Sequence, residues 1–517
     1  MAVNETTKGR NTLTRRAAWL ASARILAFAL TIPLPLVLVR TLNQSDFGLY
    51  KQVFQILLTA LALAGLGVNM SVLYFLPRNP DKKAQIALNV LAFYAVLGSA
   101  VALLFALYPG VITLVFKGDG LVPHMPLLGL AILLWLLATV LEVVAIADND
   151  IRSASMFILV SQLTKSALMM LAAVVFGSIH AIVVAAVVQG ALQCLIMFGY
   201  LHKRFGRFWT TFDWPLFKAQ LANALPFGIG GLAYATQGDL HNYFVAHYFE
   251  PDLFAIYAVG CFELPLLAML LDSVISVLLP EVARREAAAD YQGIIELWAS
   301  AIRKLSLFFI PAYTLLFVVR HEFITVLFTK NYSAAAPIFA INLLNIFLYI
   351  CVPTSILRSF DKLKFLRLKL SLVMIPLGAV ALYFGIQSAG LVGAISAVVI
   401  VQTLDLAILV LAIARRLKMS PRDLRRFAPV LRTVASASIA AAATFGIKLL
   451  VTGWSAFVVL AVCSTVFVTV CLIAGFATGA VNASEKLEMR GTLLKFYRAG
   501  SKRLGLSTPE IEDQQAA

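Results

Sequence analysis

Charge is what this sequence has least of: Asp, Glu, Lys and Arg make up 13% of its 517 residues, while 61% are hydrophobic. Soluble chains carry about a quarter charged and about half apolar residues, so a soluble domain of ordinary size is excluded. Catalytic signatures are missing too. No P-loop, HExxH, GxSxG or CxxC occurs, and the outward segments are too short for an enzyme that polymerises or ligates sugars outside a membrane. An enzyme is therefore not expected. The five cysteines, Cys194, Cys261, Cys351, Cys463 and Cys471, lie in apolar runs without metal-ligand spacing. They read as small core residues, and no metal or other cofactor is expected.

What the sequence has instead is apolar runs of roughly 20 residues, recurring along almost its whole length. The first, 17–39, is too long for a cleaved signal and lacks a small-residue cleavage site, so it reads as a membrane span. About fourteen spans follow from the hydropathy pattern, and the fold class expected is an all-α polytopic membrane protein. The formal charge of +16 could indicate nucleic acid. Its distribution argues otherwise: with the N-terminus inside, about 34 of the 42 Lys and Arg fall on the inner side and about 5 outside, as the positive-inside rule requires. Both termini are expected in the cytoplasm, and no nucleic acid is expected as a partner.

The chain repeats itself. "RTLNQSDFGLYKQV" (Arg40–Val53) returns as "HYFEPDLFAIYAVG" (His247–Gly260), aligning Phe47, Leu49 and Tyr50 with Phe254, Ile256 and Tyr257. Leu76-Pro77 and Leu279-Pro280, Val188-Gln189 and Val401-Gln402, and Lys203-Arg204 and Arg415-Arg416 follow in the same order. Six spans per copy make the repeat parallel. The expected organisation is a cytoplasmic N-terminus (1–16), an N-lobe (17–204), a C-lobe (205–416), two appended helices (417–480) and a basic cytoplasmic tail (481–517). The helix before each repeated turn carries breakers, Pro33 and Pro35 in the first copy, Pro226, Gly228, Gly230, Gly231 and Gly238 in the second. Interrupted helices at matching places in two halves point to a transport site between them.

Ionisable residues inside the spans are few, and at mid-bilayer each costs a few kcal/mol or more, so each faces protein or a wet cavity. The first half holds Arg24, Glu142 and Lys165; the second holds Asp239, His241, Glu263, Asp272 and Asp405. Arg24 and Lys165 form a cationic wall suited to a diphosphate headgroup. Asp239, Glu263 and Asp405 are the candidates for coupling to a proton or sodium gradient. His241 reads as a satisfied core histidine, and Lys51 and Lys448 as anchors at span ends. Segments 202–218 and 281–304 and the tail are amphipathic and suit the membrane surface.

With these residues assembled, the chain resembles the polysaccharide (O-antigen type) flippases of the multidrug/oligosaccharidyl-lipid/polysaccharide exporter superfamily. The resemblance rests on "LNQSDFGLY", on "FEPDLFAIY" with Asp239 just before it, and on "VLFTKNYSAAAPIFAINLL" (Val326–Leu344). It implies two lobes that alternate between inward and outward openings in the bacterial inner membrane. It implies as cargo a polyprenyl-diphosphate-linked oligosaccharide, and as neighbours membrane lipids and a glycan polymerase complex. "SARILAFALT" (Ser22–Thr31) looks like the opening helix of the lipid II flippases, but the second arginine expected soon after Arg24 is absent. Multidrug cation antiporters often carry an acidic residue in the first span, where this chain has none between Ala17 and Val39. A membrane scaffold for glycan synthesis is the alternative outside transport.

Overall fold

The computed structural model describes residues 19–210, 212–262, 264–360 and 366–480. Among them every regular element is a helix, because in hydrocarbon a spanning backbone must close its hydrogen bonds within itself. The first half contains α1 (19–29), α2 (Pro33–Thr41), α3 (Gln44–Gly65), α4 (Val68–Arg78), α5 (Lys83–Leu107), α6 (Met125–Ala147), α7 (Ile151–Phe176) and α8 (Ile179–Phe205). Then come α9 (Trp214–Tyr248), α10 (Pro251–Gly260), α11 (Pro265–Ala287), α12 (Tyr291–Val318), α13 (Arg320–Phe328) and α14 (Ala336–Asn342). Short α15 (Ile346–Cys351) and α16 (Pro353–Leu357) lead to α17 (Leu366–Arg416), α18 (Ala428–Leu450) and α19 (Ala456–Ala477).

Among the described residues, 11 helical segments are long and apolar enough to cross a membrane, against the fourteen expected. One of the 11, α17, is two helices joined where Ala389 and Gly390 leave helical geometry. Large apolar side chains coat the exterior, with Phe176, Leu195 and Leu450 at 70%, 71% and 78% exposure. Such a surface is soluble only in lipid. The protein is a multi-pass membrane protein.

Two compact units emerge. The first comprises the chain up to Leu264 with Phe323–Asn345 and Asp361–Leu409; the second comprises Pro265–Glu322, Ile346–Phe360 and the chain from Val410. In the first, α6 packs against α3, α4, α5, α7 and α8, burying Val68, Leu76, Ile86, Tyr94, Leu141 and Met197 in one apolar core. In the second, α12 packs on α11, α15 and α18, and α18 on α19. There Lys448 donates to the Val318 carbonyl at 2.9 Å and to Glu322 at 2.8 Å. It is therefore a helix cap and ion-pair partner in addition to standing at a span end.

The polar turns of the repeat are helix starts. Asn43 caps α3 by accepting the Asp46 N–H at 2.8 Å, and Pro251 opens α10, where a missing N–H costs nothing. Within the first unit α3 and α10 lie against each other. A Cβ on Gly48 would overlap the Pro251 carbonyl. Phe47, Tyr50, Phe254 and Tyr257 are all buried here.

Where helices break differs from expectation in two places. α9 runs unbroken through Pro226 and Gly230: one proline removes one hydrogen bond, and the flanking bonds carry the helix on. The expected second span breaks instead, at Leu66 and Gly67, both with positive φ. Gly228 of α9 approaches that break so closely that a Cβ on it would overlap the Leu66 carbonyl. Glycine here permits helix contact, as small residues do in membranes.

Candidate functional site

The site is built from the first break. α1 ends at residue 29, residues 30–32 are non-helical, and Pro33 starts α2. Pro33 has no N–H to donate, so backbone acceptors ahead of it need other partners. The buried Ser166 of α7 supplies one, its Oγ donating to the Leu30 carbonyl at 2.7 Å. That bond fixes the register of α7 against the break and places Lys165 beside it.

Lys165 is half-buried. Its Nζ lies 5.1 Å from the centre of the Trp135 ring and 5.7 Å from that of Phe54, within the range in which a ring face attracts a cation. Trp135 is held by its Nε1–H donating to the Ala186 carbonyl at 3.0 Å. Gly190 leaves it room, since a Cβ there would stand 2.7 Å from the Trp135 ring. Among the described residues no carboxylate pairs with Lys165. This cation is free to take an anion.

Arg24 is placed differently. It donates to Glu142 Oε1 at 3.2 Å, with side-chain exposures of 58% and 35%. Nothing in the sequence links the two residues, and their ion pair joins α1 to α6. Any anion that used Arg24 would compete with Glu142.

Around Asp239 a second polar group forms. Asp239 is half-buried, in no ion pair among the described residues, and has the Gln55 side chain beside its carboxylate. Gln55 Oε1 accepts from Asn242 at 3.4 Å. Adjacent residues of α3 thus serve two groups: Phe54 faces Lys165, and Gln55 faces α9. His241 shares a hydrogen bond with the buried Tyr257 hydroxyl at 2.9 Å, so the second tyrosine of the repeat satisfies the histidine.

Asp405 is buried and pairs with Arg367, whose guanidinium sits 4.7 Å from the Tyr234 ring centre. The other carboxylate oxygen, Oδ1, is buried without a partner. Arg367 was legible only as a basic residue just ahead of an apolar run, so the pairing is a finding of the structure. Glu263 lies outside the described residues, as do the Asp272 side chain, the 1–16 segment and the 481–517 tail.

Beyond the ends of the spans, Asp148 holds α5, α6 and α8 together. Lys83 donates to it at 2.7 Å and Arg204 at 2.6 Å, and its side chain is 1% exposed. Burial alone would raise its pKa, but the hydrogen bonds from Lys83 and Arg204 outweigh that and hold it below the ordinary carboxylate range. The three residues line a cleft of about 300 Å³ with Pro80, Asp81 and Phe205. This cleft is an ion-pair staple with its charges already matched.

Residues 37–337, more than half of the chain and the span that holds both repeated turns, Lys165 and Asp239, match the family model described as "Polysaccharide biosynthesis protein". The chain belongs to that family. Arg24 and the Arg367–Asp405 pair lie outside the matched stretch. Among solved structures it is similar to the lipid II flippase MurJ in an inward closed conformation, at 14% identity and a TM-score of 0.66 over 89% of this chain and 98% of that one. An inward-facing multidrug resistance MATE family transporter of the MOP superfamily follows at 13% identity, TM-score 0.58, over 77% of this chain and 94% of that one. The Vibrio cholerae MATE transporter VcmN, in a mutant form, is similar at 13% identity, TM-score 0.53, over 81% of this chain and 100% of that one. At these identities the likeness establishes a shared fold. No curated protein matches the sequence.

Proposed function

We propose that this member of the family is a flippase that moves a polyprenyl-diphosphate-linked oligosaccharide across the bacterial inner membrane by alternating access. The observation that carries the reading is Lys165, a half-buried cation with no carboxylate partner among the described residues, set beside the rings of Trp135 and Phe54. A diphosphate supplies the missing counter-charge, and aromatic faces suit the apolar face of a sugar. Arg24 provides a second phosphate contact once Glu142 is displaced. The family membership and the fold it shares with MurJ and MATE transporters support transport over a scaffold role. Both termini face the cytoplasm in this reading, and Asp239, half-buried and with Gln55 as its neighbour in place of a cation, is the first residue to test for coupling to a proton or sodium ion.

The lipid II alternative draws on "SARILAFALT" and on the likeness to MurJ. The antiporter alternative is disfavoured, because no acidic residue stands between Ala17 and Val39. Purified protein in vesicles, given a fluorescent polyprenyl-diphosphate-linked oligosaccharide and, separately, lipid II, tests the reading. Transport of the oligosaccharide, lowered at least tenfold by Lys165→Ala, is the expected result. Transport of lipid II alone favours the alternative, and transport of neither returns the chain to the scaffold class.

A further inference from the structure

Between the end of α17 and the first turn of α18 runs "ARRLKMSPRDLRRFAPVLR" (414–432), part of the second unit. The structure sorts its cations into two faces. Arg416 lies against the rings of Phe360 and Tyr291, 5.2 and 5.7 Å from their centres. Arg426 donates to Gln292 Oε1 at 3.2 Å and pairs with Glu296 at 3.2 Å and with Asp423 at 3.7 Å. Asp423 is buried and accepts from the Ser420 N–H and hydroxyl at 2.8 and 3.0 Å, and Phe427 meets Trp298 edge-on at 5.9 Å. These contacts hold the segment against α12.

The turn from Asp423 to Phe427 is a 3-10 helix, in which side chains three apart eclipse one another. Asp423 and Arg426 share the stripe that faces α12. Arg422 and Arg425 therefore share another. They are exposed, as are Arg415, Lys418 and Arg432, and none of these five has a carboxylate partner among the described residues. Leu424 and Leu431 stand among them at 63% and 71% exposure.

A positive-inside bias accounts for the number of cations in such a segment, but not for this sorting. We infer that the outward face is a binding shelf for anionic phospholipid headgroups, with Arg415, Lys418, Arg422 and Arg425 on the phosphates and Leu424 and Leu431 in the acyl boundary. The partner follows from position and chemistry. The segment joins two helices long enough to cross a membrane, which sets it at the membrane surface, and a cationic face carrying leucines fits a lipid better than a soluble anion. The inference is independent of which substrate the protein carries.

The test uses the full chain in detergent micelles, titrated with phosphatidylglycerol or phosphatidylcholine, with retained lipid counted by native mass spectrometry. The parent is expected to retain phosphatidylglycerol preferentially. Arg422→Gln and Arg425→Gln should each cut that preference about fivefold, and raised salt should erode it. The Arg422→Lys/Arg425→Lys double variant keeps the charge and should keep the preference, which separates charge loss from misfolding. Arg426→Gln, on the inner face, should lower thermal stability and leave lipid preference unchanged. Equal retention of the two lipids by the parent, or an unaltered preference in the Gln variants, overturns the inference. So does inorganic phosphate that displaces bound lipid at matched ionic strength, since the shelf would then read a free anion.

Discussion

A cation in the membrane is costly unless something compensates it, and among the described residues Lys165 is compensated by aromatic rings and by no carboxylate. The residue therefore can take an anion directly, whereas at Arg24 and Arg367 an anion would first have to displace a carboxylate. Lys165→Ala should weaken apparent substrate affinity by about 10- to 100-fold, the worth of a charged hydrogen bond, while Lys165→Arg retains part of it. Initial rates across a substrate series would reveal this as a change in KM. Ser166→Ala should behave differently. It strips the Leu30 carbonyl of its partner and should cost about 1–3 kcal/mol of stability, read by thermal unfolding in detergent. That Lys165 lay within a span was legible in the sequence; that Arg24 would be spent on Glu142 was not, because the two are distant in sequence and no pattern links them.

Between elements, two neighbouring glycines of α9 make opposite predictions. Gly228→Ala drives a Cβ into the Leu66 carbonyl and should destabilise by about 1–3 kcal/mol, as overpacking does. Gly230 has open space around its Cβ position, so Gly230→Ala should be neutral or stabilising by up to about 1 kcal/mol from helix propensity. Equal thermal shifts for both would contradict the close approach. The Asp148 staple carries a pH signature. Its folded pKa lies below the ordinary value, so its contribution is complete above the unfolded pKa, about 4, and is lost as pH falls through the folded pKa. Unfolding temperatures should drop on acidification in the parent, and Asp148→Asn should remove that part of the drop while lowering stability at neutral pH. Hydropathy located α9, but could not tell which of its glycines met another helix.

For the molecule as a whole, the contact of α3 with α10 matters most, because it brings the two copies of the repeat together. If closure there alternates with opening, a side chain forced between them should shift the balance. In Gly48→Val, a cysteine introduced by Leu49→Cys, a position only 8% exposed, should react with a membrane-impermeant thiol reagent several-fold faster than in the Gly48 parent. An unchanged rate in protein that still folds would show that this contact does not open. The repeated Phe-x-x-Tyr was visible in the sequence as a landmark. Its role as a packing surface needed the folded chain.

The sequence by itself determined that this is an all-helical membrane protein, that it contains two related copies of one turn, and which few ionisable residues its spans carry. Each of these is local: the solvent, bilayer or water, sorts residues by hydropathy over some twenty positions, and a repeat is visible wherever the landmarks are. Only the tertiary structure decided which charges were spent and which were free. It gave Arg24 to Glu142 and Asp405 to Arg367, and left Lys165 beside two rings. It also moved a helix break from Pro226 to Leu66 and Gly67. The physical reason is the same throughout. A proline or a lysine states a need for a partner, and only packing between helices distant in sequence determines what meets it.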